Sequence, residues 1–255
     1  MFPLRDENPT ELFPFVTVLL IAANVLVWLL VQGAGAGEPF LRSLCAWGAI
    51  PGEISGAIPA GSTVPLGDAR CTIGGASAAT ILTSMFMHGG WFHLIGNTWF
   101  LWVFGNNIED STGHARYLAF YLLCGALAAV AQIVSDPGSG IPMVGASGAI
   151  SGIMGAYMVL YPRVRVHTLV ILIVFIRVIP LPAVALLGLW FFLQLVAGAA
   201  AGVGTAGGGV AFWAHVGGFA AGVVLVKLFE RRKLVDAKRE GRVLSKDELR
   251  FLDRW

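Results

Sequence analysis

Five apolar stretches, at about 14–32, 116–134, 145–161, 183–203 and 210–229, are each long or nearly long enough to cross a hydrocarbon core as a helix rising about 1.5 Å per residue. A sixth, shorter one runs from Trp91 to about Gly105 and carries Trp99, Phe100, Trp102 and Phe104 around His93 and Asn97. Buried in a soluble domain, so many long apolar helices would leave too little polar chain to cover them. The balance agrees with lipid as the solvent, since 56% of the residues are apolar and only 13% charged. The first stretch is not expected to be a cleavable signal peptide: its flank (Arg5, Asp6, Glu7, Glu11) is not basic and its apolar run is too long.

Charge orients the spans. Ten of the seventeen Lys and Arg lie beyond Val226, so the tail is expected in the cytoplasm, and Arg163 and Arg165 mark a second cytoplasmic turn. An even number of crossings must separate the two, which 183–203 and 210–229 supply. Thr168 to Ile179 is then expected at the cytoplasmic interface, with Arg177 reaching the headgroups. The expected fold is an all-α polytopic membrane protein of six transmembrane helices, with a cytoplasmic segment at 1–13, a membrane domain at 14–229 and a basic cytoplasmic tail at 230–255. External loops fall at 33–90, 135–144 and 204–210. The positive-inside rule accounts for the basic tail without nucleic acid, and no nucleotide or cofactor loop is present.

The 33–90 loop keeps Leu, Ile, Trp and Phe between Pro51, Pro59 and Pro65, which suggests short helices half sunk in the outer leaflet. Cys45 and Cys71 both fall in it; they pair if the loop faces an oxidising compartment, and otherwise read as buried thiols. Cys124, in mid-helix, reads as packing. His114 and His167 read as surface residues of cytoplasmic turns, and "SKDELRF" as a capping box closed by Ser245 and Glu248.

Polar residues inside the spans are costly and few, so each is a functional candidate. His93 and Asn97 lie four apart, on one helix face; Ser147 begins the fourth span and His215 the sixth, all near the outer end of their helices. Gly148, Ser151, Gly152 and Gly155 follow Ser147, while Gly218 and Gly222 follow His215. Small residues at this spacing let two backbones approach closely in lipid, and facing ridges would make Ser147 and His215 neighbours. A hydroxyl beside an imidazole is the minimal activated nucleophile, with Asn97, His93 and the N–H of Ser147 available to an oxyanion. A metal site from His88, His93 and His215 is disfavoured, because spacing five separates two of them on the helix and no carboxylate or cysteine completes the set.

"GASG" at 145–148, "AHVGGFAAG" at 214–222 and "HGGWFHLIGN" at 88–97, with "NNIEDSTGH" at 106–114, together resemble the rhomboid intramembrane serine proteases over about residues 80–229. The resemblance implies a six-helix bundle without cofactor or metal. It also implies Ser147 as nucleophile, His215 as general base, an oxyanion site lined by His93 and Asn97, and a structural His88, with Gly145, Gly148, Gly218 and Gly222 supporting the site. The Trp-Arg pair of many members falls here on Ala79 and Thr80, and Ser151 stands where some members place a tyrosine under the histidine, so packing alone is expected to steady the base. The implied partners are membrane lipids and single-span membrane proteins, cut near the outer end of their helix where it unwinds. The fifth span, with Trp190, Phe191 and Phe192, is the expected side of access. The alternatives are an inactive relative that binds membrane helices and a small transporter, for which neither internal symmetry nor midplane charge is present. Ala and Gly richness points to a bacterial plasma membrane.

Overall fold

The structure, a computed structural model, describes residues 1–67, 69–74, 78–172, 175–201 and 210–241. The capping box at Ser245 and Glu248 and most of the glycine-rich run before His215 lie outside the described residues. In chain order the elements are β1 (Phe2–Asp6), α1 (Phe15–Leu30), α2 (Gly37–Trp47), α3 (Pro51–Ile54), β2 (Thr63–Leu66), β3 (Ala69–Thr72), α4 (Thr80–Thr83) and α5 (Trp91–Phe100). There follow α6 (Asn106–Thr112), α7 (His114–Ser135), α8 (Ser147–Leu160), β4 (Arg165–Leu172), β5 (Phe175–Pro182), α9 (Ala183–Ala201), α10 (Phe212–Phe229) and α11 (Arg232–Arg239).

The chain is mostly helical. Helices α7, α9 and α10 are long and apolar enough to cross a membrane, and α1 and α8 are shorter apolar helices. α5 runs through a π turn at Leu101–Gly105 directly into α6, so the short aromatic stretch of the sequence belongs to a longer helical run over 91–112. The π turn sits where Gly105 lies against the Tyr117 hydroxyl and Leu101, with no room for a side chain.

Helix α8 is central and buried along nearly its whole length, from Gly148 to Leu160. Its neighbours approach it at glycines. A Cβ at Gly218 would fall on the carbonyl oxygen of Gly148, one at Gly222 on that of Gly152, and one at Gly155 on that of Phe219. The α8 and α10 backbones are therefore in contact, the arrangement small residues permit where lipid supplies no hydrophobic drive for association. With 14 residues, α8 spans only about 21 Å, well short of a hydrocarbon core of about 30 Å. A helix of this length cannot by itself reach both surfaces of such a core.

The expectation of an all-α chain is corrected by the five strands among the described residues. β4 and β5 form an antiparallel hairpin where 168–179 is expected to lie as an interfacial segment, and β1 adds to it in the order β1-β4-β5. The β-branched run Val166, Thr168, Val170, Ile171 favours a strand, with Val166 and Thr168 on the buried face. Pro180 and Pro182, which cannot donate to a ladder, are tolerated because β5 is an edge strand.

The end of the bundle carrying this sheet is closed by buried carboxylates. Glu109 accepts hydrogen bonds from the N–H groups of Val16 and Thr17 and from Thr17 Oγ1, which satisfies the orphan donors at the start of α1. Asp110 accepts from Leu12 N–H and pairs with Lys238 at 2.8 Å, tying α11 to the N-terminal segment. Burial pushes the Asp6 carboxyl above its ordinary range, against the hydrogen bond from Tyr157 and the charge of Lys238. His114 and His167, read from sequence as plain surface residues, each meet a carboxylate, Glu109 and Glu7 respectively.

At the opposite end, 33–90 forms α2, α3 and the β2–β3 hairpin around a small core of Ile50, Val64, Cys71 and Ile73. The hairpin is not among the elements expected for this loop. Cys45 and Cys71 are joined by a disulfide across 26 residues. This unit braces the chain leading to Ser147: Ala49 and Met143 exchange backbone hydrogen bonds, and Gly52 N–H donates to Ser139. Replacing Cys45 and Cys71 together by serine is expected to destabilise this unit by about 3 to 4 kcal/mol, as loop closure of this length implies. Hydrogen exchange should then rise in 37–73 while the α8 and α10 amides stay protected.

Candidate active site

Three helices bring His93, Asn97, Ser147 and His215 into one cavity of about 690 Å³, whose lining also includes Phe100 and Trp190. α5 supplies His93 and Asn97 from one face, α8 supplies Ser147 at its first turn, and α10 supplies His215. Asp136 and Ser139 also line it, so the cavity reaches the loop at the end braced by the disulfide unit.

Ser147 Oγ lies 2.8 Å from His215 Nε2. This contact follows from the glycine ridges, because Gly148 against Gly218 and Gly152 against Gly222 fix α8 and α10 at backbone distance just below it. Gly145, with φ of +122°, occupies a conformation that L side chains rarely adopt, and a Cβ there would come within 2.6 Å of His93 Nε2 and 3.4 Å of Asn97 Nδ2. The backbone just before Ser147 is thus pressed against both α5 side chains. His93 Nδ1 accepts the Gly89 N–H at 3.3 Å, which leaves Nε2 as the protonated nitrogen, directed toward Gly145. Asn97 Nδ2 is buried and makes no hydrogen bond among the described residues. An unused amide donor and an imidazole N–H thus lie against the backbone that leads into α8 and line the same cavity as the Ser147 hydroxyl, groups of the kind that can hold a developing oxyanion.

His88 is fully buried and its ring packs on His93 at 5.2 Å, with its backbone clamped from both sides by the Gln32 amide. It lies behind the cavity wall. Ser151 donates to the Ser147 carbonyl at 2.6 Å and does not reach the imidazole.

Sequence reasoning expects packing alone to steady the base, and the structure differs. The ring of Trp190 lies 5.9 Å from that of His215, and one turn further along α9 Gln194 Oε1 is 2.8 Å from His215 Nδ1. Gln132 of α7 also lines the cavity and accepts the Ala214 N–H at 3.3 Å. Both glutamines carried a signal, since a polar side chain inside an apolar helix is costly wherever it occurs, and Gln194 lies four residues after an aromatic on the same face. Of the aromatics expected on the side of access, Trp190 faces the cavity, Phe191 stacks on Phe219 at 4.5 Å, and Phe192 is exposed.

The model of the Rhomboid domain family matches residues 76–232. Among curated relatives, the rhomboid protease GluP of Bacillus subtilis (strain 168) is 31% identical over 145 residues, 57% of this chain and 24% of that protein. The mitochondrial rhomboid protein 1 of Saccharomyces cerevisiae is 31% identical over 159 residues, 58% of this chain and 41% of that protein. The human presenilin-associated rhomboid-like protein, also mitochondrial, is 32% identical over 87 residues, 33% of this chain and 23% of that protein. The chain therefore spans less than half the length of these relatives.

Proposed function

Because the chain belongs to the rhomboid family, we propose that it is an intramembrane serine endopeptidase in which Ser147 is the nucleophile and His215 the general base. The observation that carries this reading is the 2.8 Å contact between Ser147 Oγ and His215 Nε2 inside a cavity that also holds the unused Asn97 Nδ2 donor. His215 takes the hydroxyl proton as Oγ attacks the scissile carbonyl carbon. The carbonyl oxygen becomes an oxyanion held by Asn97 Nδ2, His93 Nε2–H and the Ser147 N–H. Collapse breaks the C–N bond, and His215 returns the proton to the leaving amine. Water, deprotonated by the same imidazole, then releases the acyl group and restores Ser147.

The bundle completing this site has six spans, the run over 91–112 and the helices α1, α7, α8, α9 and α10, with both termini cytoplasmic and the cavity facing the outside of a bacterial plasma membrane. The substrate is a single-span membrane protein. A membrane helix hides its carbonyls in internal hydrogen bonds, so the chosen bond lies near the outer end, where small or helix-weakening residues let the strand unwind into the cavity beside α5 and α9. Its lining by Trp190 and Phe100 suits an apolar strand.

The test is cleavage of a single-span reporter co-reconstituted with the purified chain in lipid vesicles, the product ends located by mass spectrometry. A cut near the outer end of the reporter helix is expected, and Asn97→Ala is expected to lower kcat by about ten- to a thousandfold, the loss typical of an oxyanion donor. A folded chain that binds the reporter and leaves it whole overturns the reading in favour of an inactive relative that holds membrane helices.

A further inference from the structure

We propose that Gln194 is the positioning residue of this site: its amide oxygen accepts the Nδ1 proton of His215 and so fixes the tautomer whose Nε2 lone pair faces Ser147. The inference rests on the proteolytic reading above. His215 bridges two helices, with Nδ1 2.8 Å from Gln194 Oε1 on α9 and Nε2 2.8 Å from Ser147 Oγ on α8. A neutral imidazole has one donor and one acceptor nitrogen, so what Gln194 presents decides what Ser147 meets. A carbonyl toward Nδ1 places the proton there and leaves Nε2 able to take the hydroxyl proton. The amide NH2 turned toward Nδ1 would move the ring proton to Nε2, and the base would be blocked. Only the first orientation is competent.

The choice of an amide has a physical reason. A buried carboxylate would serve the same nitrogen, but an ionised side chain within a membrane helix carries a large desolvation cost. A glutamine supplies the acceptor without the charge. Trp190, one turn earlier, confines the ring from the side, at 5.9 Å, and Phe191 stacked on Phe219 keeps α9 seated on α10. The base is thus oriented by the helix that borders the cavity, and it is held in its working tautomer only while α9 is seated.

The test compares wild type with Gln194→Met, similar in length but without an acceptor, and Gln194→Glu, which retains one, using the vesicle cleavage assay and 15N spectra of histidine-labelled protein. Gln194→Met is expected to lower kcat by about 10- to 100-fold with KM changed by less than about twofold, as for loss of a group that orients a catalytic histidine. Gln194→Glu should recover most of the loss. The His215 Nδ1 resonance should be that of a protonated nitrogen in wild type and of a tautomer mixture in Gln194→Met. Wild-type kcat in Gln194→Met, or an unprotonated Nδ1 in wild type, overturns the inference alone, and the second reading holds even if Gln194→Met fails to fold. An inert wild type overturns the proteolytic reading and this inference with it.

Discussion

Replacing Ser147 by alanine is expected to reduce reporter cleavage to background, a loss of about 10⁴-fold or more, as when the nucleophile of a coupled serine–histidine pair is removed. The fold should survive. Ser147 Oγ meets His215 alone among the described side chains, and the hydrogen bond from Ser151 goes to the Ser147 backbone carbonyl, which alanine retains. The lost hydrogen bond is worth about 1 kcal/mol, and the imidazole nitrogen left behind still faces a cavity lined by polar groups. Thermal unfolding within a few degrees of wild type, beside absent cleavage, would assign the effect to chemistry. Cleavage retained by this variant would remove Ser147 from the mechanism.

The second large effect is structural in origin and catalytic in readout. A side chain at Gly218 meets the carbonyl oxygen of Gly148, a backbone atom that cannot turn aside. Gly218→Val must therefore push α10 away from α8 just below the place where His215 and Ser147 touch. A displacement of about 1 Å at a reacting pair costs about a hundredfold in rate, and the overpacking itself costs about 3 kcal/mol. Both losses are expected together, read as cleavage rate and unfolding temperature. Gly188→Ala on α9 is the control, because a Cβ there meets nothing within 4 Å. It should leave cleavage intact and stabilise the helix by up to about 1 kcal/mol. Equal tolerance at Gly218 would mean that α8 and α10 do not need backbone contact.

What the sequence discloses and what it conceals divide along physical lines. The long apolar helices α7, α9 and α10 are legible because lipid demands long apolar runs, and the meeting of α8 with α10 because glycines at spacing four have few other uses there. Ser147, His215, His93 and Asn97 stand out as rare polar groups in apolar surroundings, and the structure lines one cavity with all four. The β4–β5 hairpin is concealed because 168–179 is apolar at nearly every position, which hides the alternation a half-buried strand normally displays. The β2–β3 hairpin is concealed for a different reason: its strands are only four residues long and pack on Ile50 and the Cys45–Cys71 disulfide, which come from earlier parts of the loop. Glu109 and Asp110 read only as an acidic turn, since the backbone donors they satisfy lie at the start of α1 and just before it, more than ninety residues away. Gln194 shows in the sequence only as a polar residue in an apolar helix, and its role depends on how α9 is seated against α10.

In the proposed mechanism the Ser147 hydroxyl is made nucleophilic by His215. A fluorescent fluorophosphonate, which bonds covalently to an activated serine and ignores ordinary ones, tests it most directly when applied to the folded chain in vesicles. Wild type is expected to be labelled at Ser147, and Ser147→Ala and His215→Ala are expected to take up no label. Undiminished labelling of His215→Ala, or a folded wild type that takes up no label, would contradict it.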